Sequence, residues 1–286
     1  MEKPARKALL DTDFIFKTHL AVNRNHNNLA QLVLDFRNYE FFCHEKVLSE
    51  LSFHSFSPDP VPWLKDRIDK GFIRCYGDME IMDELENLFG LSASRLYFDL
   101  LRTSCDSFSP FFFNDCYSPL FELPDNTDRT TFLEILGNCE ENIPNGNSMG
   151  EKKTFVLAGM LQIKYPGQVT VFCSDDGRAR RSAIYIDERM RCLSIPAVFQ
   201  KLRKEGLEKS EAREYYDSLC AFYSFHGQKT VKVWRHERDR KKSALISTGS
   251  SKKSMPTCLK HWQQEICATK ETYKPFRDFC FFLSTG

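Results

Sequence analysis

The sequence has no CxxC pair, no HxxxH pair and no GxxxxGK[ST] loop. Those absences argue against a zinc site of ordinary spacing and a P-loop nucleotide hydrolase. No apolar run approaches about 18 residues, so a membrane-spanning helix is not expected. The opening "MEKPARKALLDTDFIF" lacks a long apolar core, so it does not read as a signal peptide. Charge of one sign is missing too: 40 Lys and Arg stand against 39 Asp and Glu, a net of +1. A global field drawing the chain to nucleic acid or membrane is therefore excluded, and any such attraction must be local. Internal repeats are absent.

Cysteine, in contrast, is plentiful. The 11 cysteines are odd in number and irregularly spaced, which points to reduced thiols, several buried as small hydrophobes, and to a cytoplasmic protein. With 286 residues, 42% hydrophobic and 28% charged, the chain suits one large domain or an ordinary domain with an extension.

"ALLDT" (8–12) and "YEFFCH" (39–44) read as buried strands, as does "VTVFC" (169–173). Between and after them lie helical patterns: 27–38 with Leu29, Leu32, Val33 and Phe36 in step, and 45–53 with Val47, Leu48 and Leu51 on one face. "DMEIMDELENLFG" is expected to stop at Gly90, and "SASRLYFDLLRTS" follows as another helix. "EKKTFVLAGMLQIKY" (151–165) puts Phe155, Ala158, Gly159 and Gln162 in line, with Ser148 as its cap. Residues 195–207 and 208–223 are two further helices, whereas "SFSPFFFNDCYSPLFELPDN" fits no single element. Strands separated by helices predict an α/β fold: a three-layer sandwich on a central, mostly parallel sheet, with a C-terminal extension.

Carboxylates stand beside predicted element ends at four stations: Asp11 with Asp13, Glu50, Glu151, and Asp175 with Asp176. Ligands of parallel α/β sheets bind at the carboxyl ends of strands. Carboxylates gathered there cannot all stay ionised without cations, and hard oxygen donors suit Mg²⁺ or Mn²⁺. A cluster holding such an ion can activate water against a phosphodiester. Glu45 competes weakly with Glu50, but its place at a helix start is explained by the helix dipole, as Glu151's would be. A basic stretch, "KTVKVWRHERDRKK", carries Lys229, Lys232, Arg235, Lys241 and Lys242 around Trp234. It reads either as a solvated strand or as a track for nucleic acid.

The order of these residues resembles the PIN-domain ribonucleases. The resemblance rests on "ALLDTD", "CHEKVLSEL", "GEKKTFVLA" and "VFCSDDGRAR", and covers about residues 5–207, with "SIPAVFQKLRKEGL" similar to a closing helix of that family. It implies a metal-dependent endoribonuclease in which Asp11, Glu50, Glu151 and Asp176 are catalytic and hold Mg²⁺ or Mn²⁺, with Asp13 and Asp175 in support. Asp176 is favoured over Asp175 by the family's spacing. Arg178 and Arg180 would meet substrate phosphate, Arg180 being the Arg of the family's Ala-Arg pair. RNA is the implied substrate, with single-stranded DNA a further one. Small relatives are toxins held by an antitoxin, so an inhibitory or assembly partner, an oligomer or a defence role fits as well. The chain departs from the family in the length of 54–150, which reads as an insertion, and 208–286 as a helical and basic extension. A haloacid-dehalogenase-type phosphatase also starts with strand-Asp-x-Asp, but "FIF" follows here and its later Ser/Thr and Lys stations are missing. A non-catalytic PIN-like module that binds RNA or protein is the other alternative.

Overall fold

The computed structural model describes residues 4–53, 58–144, 147–225, 230–237 and 240–247. In chain order the elements of the sheet region are β1 (Arg6–Leu10), α1 (Thr12–Leu20), α2 (Leu29–Leu34), β2 (Tyr39–His44), α3 (Glu45–Phe53), α4 (Val61–Asp69), β3 (Ile73–Tyr76), α5 (Asp78–Phe89), α6 (Ala93–Phe108) and α7 (Phe112–Cys116). There follow α8 (Arg129–Glu141), α9 (Met149–Lys164), β4 (Thr170–Cys173), α10 (Gly177–Ile186) and β5 (Arg191–Leu193). After these come α11 (Ile195–Lys204), α12 (Lys209–Phe225), β6 (Thr230–Glu237) and β7 (Arg240–Ser247).

Five strands make one wholly parallel sheet in the order β3-β2-β1-β4-β5, flanked by helices as a three-layer α/β sandwich. β1 and β4 are the middle strands. They are apolar almost throughout because both of their faces are covered, and Ala8, Leu9, Val171 and Phe172 are all buried. The sheet grows from β1 to β2 and β3 on one side, then restarts at β4 on the other. The reversal opens a crevice at the carboxyl ends of β1 and β4, the usual ligand position in open α/β sheets.

Helix α9 crosses this region with Phe155, Val156, Leu157, Ala158, Met160 and Leu161 buried. Phe155 meets Phe172 of β4 at 4.9 Å between ring centroids and Phe108 of α6 at 5.7 Å. Burying a Phe side chain contributes roughly 1.5–3 kcal/mol, so these rings dominate the cohesion of this layer.

Residues 54–150 are more than an insertion. They supply the edge strand β3 and put Tyr97, Leu101, Phe113, Phe132 and Leu136 into the same core as Leu9 and Phe42. The compact units also divide the chain at other points than 207/208. One unit comprises Met1–Phe16 and Leu34–Leu193; the other comprises Lys17–Val33 and Ser194–Gly286. Helix α11 falls in the second because its apolar stripe, Val198, Phe199 and Leu202, packs with α12, where Phe199 meets Tyr216 at 6.3 Å. Within that unit Ser218 Oγ donates to Leu20 O at 3.2 Å and accepts from Val22 N–H at 3.3 Å. The backbones of β6 and β7 pair antiparallel, with Arg235 opposite Lys242 and His236 opposite Lys241. No helix among the described residues is long and apolar enough to cross a membrane.

Candidate active site

Asp11 follows the last residue of β1 and is 1% exposed. Its backbone N–H still joins the sheet through Cys173 O at 3.1 Å, so its side chain leaves the crevice floor at a fixed angle. Oδ1 accepts from Thr12 N–H at 2.9 Å, and Oδ2 accepts from Ser174 Oγ–H at 2.7 Å. Two neighbouring strand ends thus grip one carboxylate.

Glu50 comes from α3, which follows β2. Its Oε2 accepts from Thr12 Oγ1–H and its Oε1 from Gly150 N–H, both at 2.7 Å. Ser148, expected to cap α9, sits in the left-handed region with φ 55° and makes no side-chain cap. Glu50 takes over that task from 100 residues upstream, where the positive end of the α9 dipole favours an anion. Gly150 permits the approach, because a Cβ there would lie 2.7 Å from the Glu50 carboxyl carbon.

Glu151 stands one residue further along α9. Asp11, Thr12, Asp13, Glu50 and Glu151 line one cleft of about 970 Å³, with Phe16, Ser49, Phe53, Ile143 and Met149 among its other walls. Burial, and then the Glu151 charge, hold the Asp11 carboxyl well above the usual range, against the Ser174 hydrogen bond; Asp13 and Glu50 push the same way. Burial, followed by repulsion from Glu50 and Asp176, raises Glu151 to about 7, despite its own backbone amide and Lys152. Three of the four stations therefore share one space and feel one another.

The fourth station is arranged differently. Asp176 caps α10, accepting from Arg178 N–H at 2.5 Å and Ala179 N–H at 3.3 Å, while its own N–H donates to Ser174 Oγ at 3.1 Å. It is exposed, and it reaches the cluster through its charge on Glu151. Asp175 lies 3.9 Å from the Arg180 guanidinium, which also donates to Ser174 O at 3.1 Å. Arg178 donates to Phe108 O at 3.0 Å. The two arginines thus brace the turn between β4 and α10. Glu45 lies against Gly77, at the end of β3. Among the described residues, no three His, Cys, Asp or Glu side chains stand together as a ready ligand shell. Lys229 lies outside the described residues. Lys232, Trp234 and Arg235 fall in β6, and Lys241 and Lys242 in β7.

A second constellation, absent from the sequence reading, lies behind the cleft. Lys153 is fully buried, two residues beyond Glu151. Its Nζ donates to Asp78 Oδ2 at 2.8 Å and Tyr97 Oη at 3.2 Å, and pairs with Glu140 Oε1. Tyr97 O–H donates to Asp78, and Tyr117 O–H donates to Glu140 at 3.2 Å. His44 Nδ1 accepts from Lys46 N–H at 3.1 Å, which leaves Nε2 as the protonated nitrogen facing Asp78 Oδ1 at 3.2 Å. Asp78 is held far below the usual range although burial opposes it, chiefly by Lys153 and then His44. Lys153 is held above its usual value by Asp78 and then Glu140, again against burial. The network pins the first turn of α9, where Gly150 and Glu151 meet the cleft.

The raised carboxyls give a pH dependence with a definite sign. Between the usual glutamate value of 4.5 and about 7, the folded chain carries more protons at Glu151 than the unfolded chain does. Its contribution is therefore fully present below 4.5 and is lost as pH rises through about 7, and Asp11 acts in the same direction. In buffer free of divalent ions, the melting temperature is expected to fall from pH 5 to pH 7.5, and Glu151→Gln is expected to flatten that slope. A slope equal to that of the parent chain in Glu151→Gln would show that this carboxyl does not carry the effect.

No family model, curated protein or solved structure matches the chain.

Proposed function

We propose that this chain is a metal-dependent endoribonuclease of the PIN-domain type, working in the cytoplasm on Mg²⁺ or Mn²⁺. One observation carries the reading: Asp11, Glu50 and Glu151 line one cleft at the point where the strand order reverses, and burial together with mutual repulsion holds the Asp11 and Glu151 carboxyls above their usual range. The donors are carboxylate oxygens, the set that hard divalent ions take. Asp11, Glu50, Glu151 and Asp176 would hold the ion, with Asp13 and Asp175 in support. The ion would supply Lewis acidity toward water and charge toward the scissile phosphate.

The chain's own groups do the rest. Ser174 and Thr12 fix the Asp11 carboxylate, while Thr12 and the Gly150 N–H orient Glu50. Glu151, raised to about 7 by burial and by Glu50 and Asp176, would give up its proton in holding the cation, so binding should release protons. A cleft this acidic repels RNA, and the basic 229–242 segment is the proposed counterweight. A nuclease of this kind needs restraint in the cell, so an inhibitory or assembly partner belongs to the proposal.

A non-catalytic RNA- or protein-binding module is the second reading. It is favoured by the hydrogen bonds already made by Glu50 and Asp176. Metal-dependent cleavage separates the two.

For the basic segment, RNA affinity is expected to drop steeply with salt, because each phosphate contact releases counterions. Changing Lys241 and Lys242 together to Gln should weaken binding and lower the log–log salt slope by about 1–2, while the rate at saturating RNA stays near the parent value. An unchanged slope in a salt titration would remove this segment from the RNA track.

A further inference from the structure

Among the described residues, two cysteines face each other across neighbouring strands at one place. In the parallel pair of β2 and β3, Cys43 is the register partner of Cys75. Register partners share a face of the sheet, and neighbouring strands lie about 4.8 Å apart. That is within the range of about 4.4–6.8 Å that a disulfide spans between Cα atoms. On the other side of the sheet the cysteines miss one another: Cys173 stands opposite Leu193, and Cys192 opposite Phe172.

The two thiols are not equivalent. Cys43 is fully buried, whereas Cys75 lies on the edge strand and is partly exposed. The Cys43 S–H donates to the Cys75 sulfur. That bond, and then burial, hold the Cys43 thiol well above its usual value. The same bond lowers Cys75, against burial and the charges of Glu45 and Glu80. Both sulfurs are free thiols here. An accessible thiol with thiolate character, backed by a second thiol, is the arrangement of an attacking and a resolving cysteine.

We infer that Cys43 and Cys75 form a redox modification site, at which a peroxide converts the pair to a reversible disulfide between β2 and β3. The Cys75 thiolate attacks one peroxide oxygen and the O–O bond breaks. The sulfur is oxidised to sulfenic acid, and the second oxygen leaves as hydroxide, which takes up the proton that Cys75 released. The Cys43 sulfur then attacks the sulfenic sulfur. The S–O bond breaks, and the hydroxyl leaves as water with the Cys43 proton. Two thiols and one hydrogen peroxide thus give one disulfide and two waters, and a small dithiol restores both thiols by exchange. Neither cysteine lines the carboxylate cleft, so the inference stands independently of the nuclease reading.

The test treats the folded, reduced, full-length chain with hydrogen peroxide, blocks the remaining thiols by alkylation, and maps the digest by mass spectrometry. One cross-linked peptide pair joining Cys43 to Cys75 is expected, lighter than the two free peptides by two hydrogens and lost after dithiothreitol. Cys75→Ser should abolish the cross-link and leave Cys43 unoxidised at the same dose, because burial covers it. Cys43→Ala should leave Cys75 as a sulfenic acid that dimedone captures. The map of the parent chain needs no variant, so it decides the matter even if a substitution impairs folding. No cross-link in the folded parent, a cross-link from Cys75 to a different cysteine, or one that forms only after unfolding in urea would overturn the inference. Oxidation of Cys43 at the parent rate in Cys75→Ser would overturn the assignment of Cys75 as the attacking thiol.

Discussion

Asp11→Asn should melt at or above the parent temperature in metal-free buffer, lose the stabilisation that Mn²⁺ gives the parent, and cleave RNA at least about a hundredfold more slowly. The first expectation follows from burial. A carboxylate that is 1% exposed beside Glu151, Asp13 and Glu50 costs stability when ionised, and Asn removes the charge at almost constant volume. The hydrogen bonds survive: the amide oxygen can still accept from Thr12 N–H, and the amide nitrogen can donate to Ser174 Oγ. The second expectation follows from linkage, since an ion that binds only the folded cluster raises the melting temperature. Thermal melts of both proteins with and without millimolar Mn²⁺ check both at once. Asp176→Asn is the useful companion, because Asn caps helices as well as Asp does and keeps α10 intact. Loss of activity in that variant then reports the charge. Asp175→Asn, whose partner is Arg180, should be milder. If Asp11→Asn retains the full Mn²⁺ shift, the cluster does not bind the ion through Asp11.

The second large effect is structural. Lys153→Met should lower stability by about 3–5 kcal/mol, because it strands two carboxylates in the interior. Asp78 would lose the lysine that holds it ionised against burial, and Glu140 its closest cation. Equilibrium urea unfolding measures this as a lower midpoint with an unchanged slope. Adding Asp78→Asn and Glu140→Gln to Lys153→Met removes the stranded charges and should recover part of the loss. A single variant within about 0.5 kcal/mol of the parent would show that water or neighbouring phenols already satisfy both acids.

Much of the fold could be read from the residues because buried strands and amphipathic helices leave periodic marks. "YEFFCH" is β2 from end to end, and α5 stops at Gly90, which occupies φ 57°. β3 and β5 were not legible. "IRCY" and "RCL" are short edge strands, each carrying an exposed arginine, so neither shows a continuous apolar run. The aromatic stretch after α6 resolves into α7 and a 3-10 turn at Ser118–Glu122, too short to impose a period.

The site divides in the same way. Asp11 and Glu151 stood out because each adjoins an element end, and a sheet reversal brings such ends together, whereas Glu50 lies within α3 rather than at its end. That Glu50 would cap α9 was not recognisable, since the pairing spans 100 residues; the glycine before Glu151 was its one local sign. The cap at Asp176 had a signal in its place just before a helix, one that also suits a metal ligand. Lys153 had none. In "GEKKTF" it looks like a surface charge, and only the return of Asp78 and Glu140 through tertiary structure makes it a core residue.

The most direct measurement is cleavage of a defined single-stranded RNA by the purified full-length chain, with Mn²⁺ or with EDTA, beside Asp11→Asn. The account predicts internal cuts that require the metal and fall by at least about a hundredfold in the variant. Cleavage that persists in EDTA, equal rates in the two proteins, or no cleavage by the parent chain would contradict it.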